Sequence, residues 1–314
     1  MTVLLVCSGG GHLKQLHELV PRLGIEGEDR LWVTFDSGLS RGLLAGEDVV
    51  LARHAVPRDA RAVAVNTLQS IGVLRGRRFS MAVSTGASPA VSYLVQTAAR
   101  RIPSHYVETA ARADGPSLTG RIMARVPGVA TYTQYPAWSS PTWRYGGSVF
   151  DAYQVGEPRV PGPVRRAVVS LGTAESFGFR RLVERLVPLL AGAEVTWQTG
   201  ATDVSGLGVE GHDKVPHDVL SRAIAEADVV VSHAGTGAAL TALEHGHRPV
   251  LVPRRVAHHE HVDDHQTQIA AELARRGLAV AREVEALDAD ALTEAASRTV
   301  TRSATPPPFL LAGR

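Results

Sequence analysis

The sequence predicts an α/β protein with two doubly wound parallel sheets, and three observations support this prediction. Short apolar segments alternate with amphipathic segments of helical spacing through most of the 314 residues, which is typical of parallel sheets covered by helices on both faces. A segment rich in proline and glycine, residues 156–163, interrupts this alternation. Three glycine-rich turns each follow a predicted strand and precede a predicted helix.

The first half of the chain carries predicted strands whose apolar runs are only a few residues long. In the first predicted helix, Leu13, Leu16 and Leu19 recur at helical spacing and form an apolar face. The predicted strands are residues 3–7, 31–35, 81–84, 105–107 and 130–134, and the predicted helices are residues 12–23, 60–74, 89–100 and 118–125.

Residues 156–163 contain three prolines and two glycines, which excludes a helix interior or a central strand. We therefore predict a first domain over residues 1–157 and a second over residues 165–302. The proline-rich residues 303–314 are expected to form a poorly ordered tail. The second domain has predicted strands at 167–171, 195–199, 229–232 and 250–252, and predicted helices at 179–190, 217–227, 237–245 and 265–275.

Composition and charge exclude several classes of protein. Hydrophobic residues make up 44% and charged residues 20%, as in ordinary globular proteins, and no apolar run approaches the ~18 residues of a spanning helix. The single cysteine excludes a disulfide framework and a thiolate-rich zinc site, so we expect a cytoplasmic protein. Residues 53–125 hold 11 arginines against three acidic residues, a net charge of +8. This basic region is either a solvated face or a surface for phosphates or anionic lipid.

The three glycine-rich turns are CSGGGH at residues 7–12, SLGTAES at 170–176 and SHAGTG at 232–237. Glycine lets an anion approach the backbone, and the helix that follows directs its unpaired N–H groups at that anion. The turns therefore favour a nucleotide-binding cleft. None contains the dinucleotide G-x-G-x-x-G with a downstream acid or the lysine of a P-loop, which argues against NAD enzymes and NTPases.

The second half resembles family 28 glycosyltransferases in VVVSHAGTG at residues 229–237, EHGHRPVLVPR at 244–254 and HVDDHQ at 261–266. This group includes the peptidoglycan GlcNAc transferase and the catalytic subunit of the eukaryotic two-subunit enzyme that adds the second GlcNAc to the dolichol-linked glycan. The first half is similar to the other eukaryotic subunit. Its matching motifs are SGGGH at 8–12, STGA at 84–87, YVETAAR at 106–112 and SLTGR at 117–121. The chain resembles a fusion of the two subunits.

The resemblance implies a GT-B fold, with an N-terminal Rossmann-like domain for the acceptor and a C-terminal one for a UDP-sugar. It implies inverting transfer of a sugar, expected to be GlcNAc, to a lipid-pyrophosphate-linked or other hydroxyl acceptor, with no metal or other cofactor. We expect no nucleic-acid partner and at most a peripheral contact with the inner face of the cell membrane. Three alternatives stay open: a soluble natural-product acceptor, a UDP-GlcNAc 2-epimerase, and a non-catalytic UDP-sugar-binding partner subunit.

For the donor, the resemblance implies that backbone amides of the second and third glycine turns stabilise the UDP β-phosphate. Thr241 stands where the family has a ribose-binding glutamate, and Glu244 lies one turn later on the same helix face. Asp264 and Gln266 match the residues that bond the sugar hydroxyls. The predicted donor set is Gly172, Thr173, His233, Ala234, Gly235, Thr236, Gly237, Thr241, Glu244, Asp264 and Gln266.

His12 is the predicted catalytic base, because an imidazole of near-neutral pKa can accept a proton from the acceptor hydroxyl. The alternative is that His12 only caps the first glycine turn. Glu108 is the other candidate base, unless it forms an i,i+4 ion pair with Arg112. The predicted acceptor-side residues are Gly10, Gly11, Thr85, Gly86 and Arg112.

Four histidines near the sugar-binding motif raise the question of a zinc site, since two of them are spaced i,i+4. They begin in a predicted loop with no cysteine nearby, so we expect contacts to phosphate or sugar and no metal. They are His258, His259, His261 and His265. Six arginines are candidates for phosphate or membrane contacts, namely Arg75, Arg77, Arg78, Arg100, Arg101 and Arg121.

Overall fold

The computed structural model describes residues 1–55, 59–172 and 176–313. The chain divides into two compact units, Met1–Asp151 with Pro307–Arg314, and Ala152–Pro306. The division falls before the predicted boundary at residue 157, because the residues after Asp151 form a strand that pairs within the second unit.

The first unit is built on a parallel sheet with helices between its strands. Its strands are β1 Thr2–Cys7, β2 Asp29–Phe35, β3 Asp48–Ala52, β4 Phe79–Gly86, β5 Ser104–Val107, β6 Val129–Thr133 and β7 Trp143–Tyr145. Its helices are α1 Gly11–Leu19, α2 Gly38–Leu43, α3 Ala60–Gly76, α4 Ser88–Ala99 and α5 Leu118–Met123. The seven strands are ordered β3-β2-β1-β4-β5-β6-β7. Strand β1 is buried over its whole length, as its continuous apolar run requires.

The second unit repeats this architecture with a six-stranded parallel sheet. Its strands are β8 Tyr153–Pro158, β9 Arg166–Ser170, β10 Glu194–Gln198, β11 Gly211–His212, β12 Val229–His233, β13 Val250–Val252, β14 Val280–Ala281 and β15 Arg298–Arg302. Its helices are α6 Arg180–Leu189, α7 His217–Glu226, α8 Thr236–Glu244, α9 His265–Arg275 and α10 Ala289–Ala296. The sheet order is β11-β10-β9-β12-β13-β14, and β8 pairs with β15 in a separate antiparallel ribbon.

Each parallel sheet reverses its strand order at the strand of that sheet that comes first in the chain. Strand β1 lies between β2 and β4, and β9 lies between β10 and β12. Open α/β sheets bind ligands outside the carboxyl ends of the strands at such switch points. The segments that follow β1 and β4, and those that follow β9 and β12, are therefore where the fold itself places a site.

The last residues of the chain do not form the poorly ordered tail that the sequence predicts. The Phe309 side chain is buried, its amide donates to the Arg22 carbonyl at 2.8 Å, and its ring lies 6.0 Å from that of Tyr132. The next amide, of Leu310, donates to the Gly146 carbonyl at 2.8 Å. The tail prediction is wrong because proline-rich composition does not exclude packing when an aromatic side chain finds a pocket.

Helix α3 turns polar side chains inward and apolar side chains outward. Asn66 is buried and exchanges two hydrogen bonds with the backbone of Arg53, and Ser70 is buried and donates to the Ser92 carbonyl at 3.1 Å. Val65 is 42% exposed and Leu68 is 71% exposed. In the part of the chain that the structure describes, no helix is long and apolar enough to cross a membrane.

Candidate active site

In the first unit, His12 and Thr85 form two hydrogen bonds with each other at the switch point between β1 and β4. Nδ1 of His12 lies 2.7 Å from the Thr85 carbonyl oxygen, and the Thr85 hydroxyl donates to the His12 carbonyl at 2.8 Å. Because a carbonyl can only accept, Nδ1 of His12 carries a hydrogen. Nε2 is then the nitrogen that can take up a proton.

Gly86 allows the His12 ring to lie against the end of β4. Its φ is +113°, and a Cβ there would lie 3.2 Å from both Cε1 of His12 and the Tyr106 hydroxyl oxygen. Gly10, with φ of +63°, precedes α1, which begins at Gly11 without a side-chain cap among the described residues. The structure thus brings together the predicted residues of the first glycine turn and of the STGA motif.

Glu108 is buried, with 1% of its surface exposed, and both of its carboxylate oxygens accept hydrogen bonds. One oxygen accepts from the Thr109 amide at 3.0 Å, and the other accepts from the amide and hydroxyl of Ser117 at 2.9 and 3.0 Å. Burial raises the pKa of this carboxyl, and the hydrogen bonds from Ser117 and Thr109, with a smaller effect of the Arg112 charge, offset this rise only in part. Since Ser117 in turn caps α5, Glu108 anchors the loop that leads to this helix.

Two buried glutamines that the sequence analysis did not single out hold the same loop. Gln15 donates to the Thr109 hydroxyl at 3.0 Å and accepts from the Ala110 amide at 2.7 Å, and Gln134 donates to the Glu108 carbonyl at 2.9 Å. Gln15 sits between Leu13 and Leu16 on the buried part of α1. An amide among the apolar positions of a helix is the signal that could have identified it.

In the second unit, the His233 ring lies between two of the glycine-rich turns. Its Nδ1 is 3.2 Å from the Ser170 carbonyl oxygen at the end of β9. A Cβ at Gly172 would lie 2.8 Å from Cε1 of this ring, and one at Gly235 would lie 2.3 Å from Nε2. These two glycines are therefore required by the ring beside them. The predicted donor residue Thr173 lies outside the described residues.

His233 is a neutral imidazole at physiological pH. Burial, and after it the positive charge of Arg254 with smaller effects of His261 and His265, lowers its pKa to about 4. Because Nδ1 donates to the Ser170 carbonyl, Nε2 is an acceptor in this state.

The amino end of α8 lies directly after the His233 turn. Gly235 is the N-cap, Ala234 beside it is buried, and no side chain among the described residues caps the helix. The first-turn amides of Thr236 and Gly237 therefore carry the positive end of the helix dipole. This arrangement can bind an anion at the switch point between β9 and β12.

The two candidate ribose contacts lie further along α8. The Thr241 hydroxyl donates to the Gly237 carbonyl at 2.9 Å, within its own helix. Glu244 is exposed at the last position of α8, about 12 Å from the helix start at ~1.5 Å per residue. The structure does not bring Glu244 to the amino end of the helix.

Asp264 and Gln266 both bind the backbone that follows β13. Asp264 accepts from the Val256 amide at 3.0 Å, and its side chain does not cap α9. Gln266 is buried and accepts from the Arg254 amide at 3.0 Å. The motif that predicts sugar contacts thus also shapes the loop at the end of β13.

The histidines of the same loop separate into two groups. His258 and His259 are exposed. The Nδ1 atoms of His261 and His265 both contact the Asp263 carboxylate, at 3.4 Å for His261. Among the described residues, His261, Asp263 and His265 are the group whose possible ligand atoms lie close enough together to hold a metal ion, within 4.8 Å of one another.

The sequence of the second unit matches a known protein family. Residues 167–305 match the model of the glycosyltransferase family 28 C-terminal domain, a range that includes both glycine turns and the loop after β13. The second unit is thus similar to the C-terminal domain of family 28 glycosyltransferases. The chain is accordingly a nucleotide-sugar-dependent glycosyltransferase, as the motifs of its second half predict.

Solved glycosyltransferase structures share the fold over nearly the whole chain. MurG of Acinetobacter baumannii is 20% identical over 93% of this chain and 88% of its own, with a TM-score of 0.57. SnogD of Streptomyces nogalater is 20% identical over 94% and 93%, with a TM-score of 0.59. SsfS6 of Streptomyces sp. SF2575, complexed with thymidine diphosphate, is 18% identical over 94% and 93%, with a TM-score of 0.56.

These matches confirm the predicted GT-B fold. No curated protein matches the chain in sequence. The likeness of the first unit to the eukaryotic acceptor subunit stays a prediction.

Proposed function

We propose that this glycosyltransferase moves GlcNAc from UDP-GlcNAc, with inversion at the anomeric carbon, to a hydroxyl group of a lipid-pyrophosphate-linked acceptor at the inner face of the cell membrane. The observation that carries the proposal is the amino end of α8 in the family 28 domain. There the Gly235 turn and the first-turn amides, which no side chain of the described residues caps, lie at the switch point of the second sheet.

The donor half of the mechanism is electrostatic. As the bond between the anomeric carbon and the β-phosphate oxygen breaks, its electron pair passes to UDP and negative charge grows on the diphosphate. Amides of Thr236 and Gly237 at the start of α8 are aimed at an anion in this place, so they stabilise that charge without a metal ion. Gln266 and Asp264, from the loop after β13, are proposed to contact the sugar hydroxyls.

The acceptor half needs a base for the hydroxyl proton. We assign this role to Nε2 of His12, because its Nδ1 hydrogen is held by the Thr85 carbonyl, which fixes the ring and its tautomer. As the acceptor oxygen forms its bond to the anomeric carbon, its proton passes to Nε2. Glu108 is proposed to be structural, since its oxygens already accept from Thr109 and Ser117.

The lipid part of the proposal rests on the outward face of α3. Val65 and Leu68 are exposed on this face, and Arg61, one turn before Val65, and Arg75, two turns after Leu68, are also exposed. An exposed apolar pair flanked by arginines fits an anionic bilayer surface, where each arginine contributes ~1 kcal/mol.

Product analysis tests the proposed function. Purified protein and bacterial membranes are incubated with one donor at a time, which is UDP-GlcNAc, UDP-glucose, UDP-galactose or a TDP-sugar. Lipids and water-soluble products are then analysed by mass spectrometry. We expect a lipid that carries one added N-acetylhexosamine, with release of UDP that depends on the membranes.

A water-soluble glycosylated product would indicate the soluble acceptor, and a TDP-sugar requirement would overturn the assignment of UDP. Conversion of UDP-GlcNAc to its 2-epimer without an acceptor would indicate the epimerase. Tight UDP binding with no product from any donor and acceptor would indicate the non-catalytic partner subunit.

A further inference from the structure

Arg254 is a buried arginine at the carboxyl end of β13, directly after Pro253. Only 2% of its surface is exposed, and its guanidinium carbon lies 5.5 Å from the centre of the Phe179 ring. Burial lowers its pKa to about 10, so the side chain remains charged at neutral pH. Burying a cation costs free energy unless its surroundings compensate, so such a residue requires an explanation.

The guanidinium donates to three backbone carbonyls from two separate loops. Nη2 donates to the Leu171 carbonyl at 2.6 Å, and Nη1 donates to the carbonyls of Phe177 and Glu260 at 2.7 and 3.3 Å. Leu171 precedes Gly172 of the second glycine turn, Phe177 follows the turn, and Glu260 lies in the loop between β13 and α9. One side chain therefore joins Leu171 and Phe177 to the loop that leads to Asp264.

The same residue is joined to the predicted sugar-binding motif through its backbone. Its amide donates to Gln266, which is buried at the start of α9. Its charge also acts on His233, whose Nδ1 binds the Ser170 carbonyl next to the Leu171 carbonyl that Arg254 holds. Among the described residues, Nε of Arg254 has no hydrogen-bond partner, so the fold accepts an unsatisfied donor to keep the two Nη groups in place.

We infer that Arg254 is a positioning residue of the donor site, which holds Leu171 and Phe177 in place relative to the loop of Asp264 and Gln266. The inference rests on the proposed donor function of the second unit. A lysine cannot replace Arg254 fully, because one ammonium group on a flexible stem cannot hold three carbonyls in the fixed geometry of the guanidinium fork.

Variants of Arg254 and of a second arginine test this role. Arg248 is the matched control, since it is also partly buried in the second unit, lacks a partner for Nε among the described residues, and binds Glu294 instead of the two loops. We expect Arg254→Met to weaken UDP binding in calorimetry by about 10-fold or more, with Arg254→Lys intermediate and Arg248→Met unchanged. An Arg254→Met protein that is folded and binds UDP within about twofold of the wild type would overturn the inference.

Hydrogen exchange is a second test, which requires neither nucleotide binding nor a folded Arg254→Met protein. In Arg254→Lys, the peptides that contain Phe177 or Glu260 should exchange faster than in the wild type. Peptides from the first unit of this variant should exchange at the wild-type rate. In Arg248→Met, the peptides that contain Phe177 or Glu260 should also exchange at the wild-type rate. Unchanged exchange in Arg254→Lys would overturn the positioning role. If the wild type binds neither UDP nor TDP, the proposed function fails, and the exchange result alone decides whether Arg254 joins the loops.

Discussion

A Cβ atom at Gly235 would lie 2.3 Å from Nε2 of His233, so the imidazole ring fills the space that any side chain at this turn would need. The φ of Gly235 is −86° with ψ of 136°, which other residues adopt without strain. Glycine is therefore required here by the ring beside it and not by the backbone conformation. The turn at Gly235 and the His233 ring therefore form one packed arrangement.

The first prediction follows from this contact. Gly235→Ala should displace the His233 ring or the start of α8, lowering the free energy of unfolding by about 1–3 kcal/mol and weakening UDP binding. Gly162→Ala is the control, because a Cβ at Gly162 meets no atom within 4 Å. Chemical denaturation and calorimetry measure both effects. In the double variant with His233→Ala, the stability loss should shrink; an unchanged loss would contradict the proposed clash.

The second prediction separates the two candidate bases. His12→Ala should lower kcat by ~10²-fold or more with little change in UDP affinity, because it removes the proton acceptor but not the donor site. Glu108→Gln should lower the melting temperature, since an amide nitrogen cannot accept from Ser117, while kcat stays within a few-fold of the wild type. A folded Glu108→Gln protein without turnover would reassign the base.

The third prediction concerns stability below neutral pH. His233 titrates near 6.5 in the unfolded chain but at about 4 in the fold, so between these values only the unfolded state takes up the proton. The free energy of unfolding should therefore fall as the pH falls from 6.5 to 4, by up to about 1.4 kcal/mol per pH unit for this one group.

Burial also lowers the pKa of His247 and His261, so the wild type alone does not isolate the contribution of His233. His233→Asn keeps a donor for the Ser170 carbonyl but does not titrate. In urea unfolding at several pH values, the free energy of unfolding of this variant should depend less steeply on pH than that of the wild type, by the equivalent of about one bound proton. Equal slopes for both proteins would show that His233 is not held neutral in the fold.

The fourth prediction is that turnover survives EDTA, because helix amides take the role of a divalent cation at the leaving diphosphate. The D-x-D pair of the second unit, Asp288 and Asp290, begins α10, where Asp288 caps the helix by accepting from the Ala291 amide at 2.9 Å. Loss of activity on chelation, restored by Mn²⁺ or Zn²⁺, would contradict this prediction and identify His261, Asp263 and His265 as the ligand set to mutate next.

The fifth prediction addresses the membrane. Binding to anionic but not neutral vesicles should be measurable by co-sedimentation, and both salt and Leu68→Ser should weaken it. Arg75→Ala should also weaken it, whereas Arg77, which pairs with Asp48 at 2.6 Å, should contribute less. Val160→Ser, at an exposed valine of the second unit, is the control. Absence of binding at low salt would favour a soluble acceptor.

The alternation of apolar and polar segments was sufficient to predict the two parallel sheets and the glycine turns after β1 and β12, because these depend on local pattern. It did not predict the edge strands β3, β7, β11 and β14, of which the last two have only two residues each. The role of Arg254 was also missed. It depends on carbonyl groups of Leu171 and Phe177, which are far away in sequence and carry no sequence signal.

Helix α3 shows the limit of periodicity most directly. Its apolar positions suggest one stripe over Val65, Leu68, Ile71 and Leu74, yet only Leu74 of these is fully buried. The inward face is instead occupied by Asn66 and Ser70, whose side chains find backbone partners. A pattern of side-chain hydrophobicity cannot reveal that buried polar side chains have hydrogen-bond partners. The sequence alone therefore could not predict which face of α3 is buried.

The return of residues Pro307–Arg314 to the first unit constrains how the protein is made. Domains usually fold in the order in which the ribosome releases them. Here the pocket beside Gly146 and Arg22 receives Phe309 only after the whole second unit has been synthesised. Until then the space beside Tyr132 lacks the Phe309 ring, so the core of the first unit is completed only by residues synthesised after the second unit.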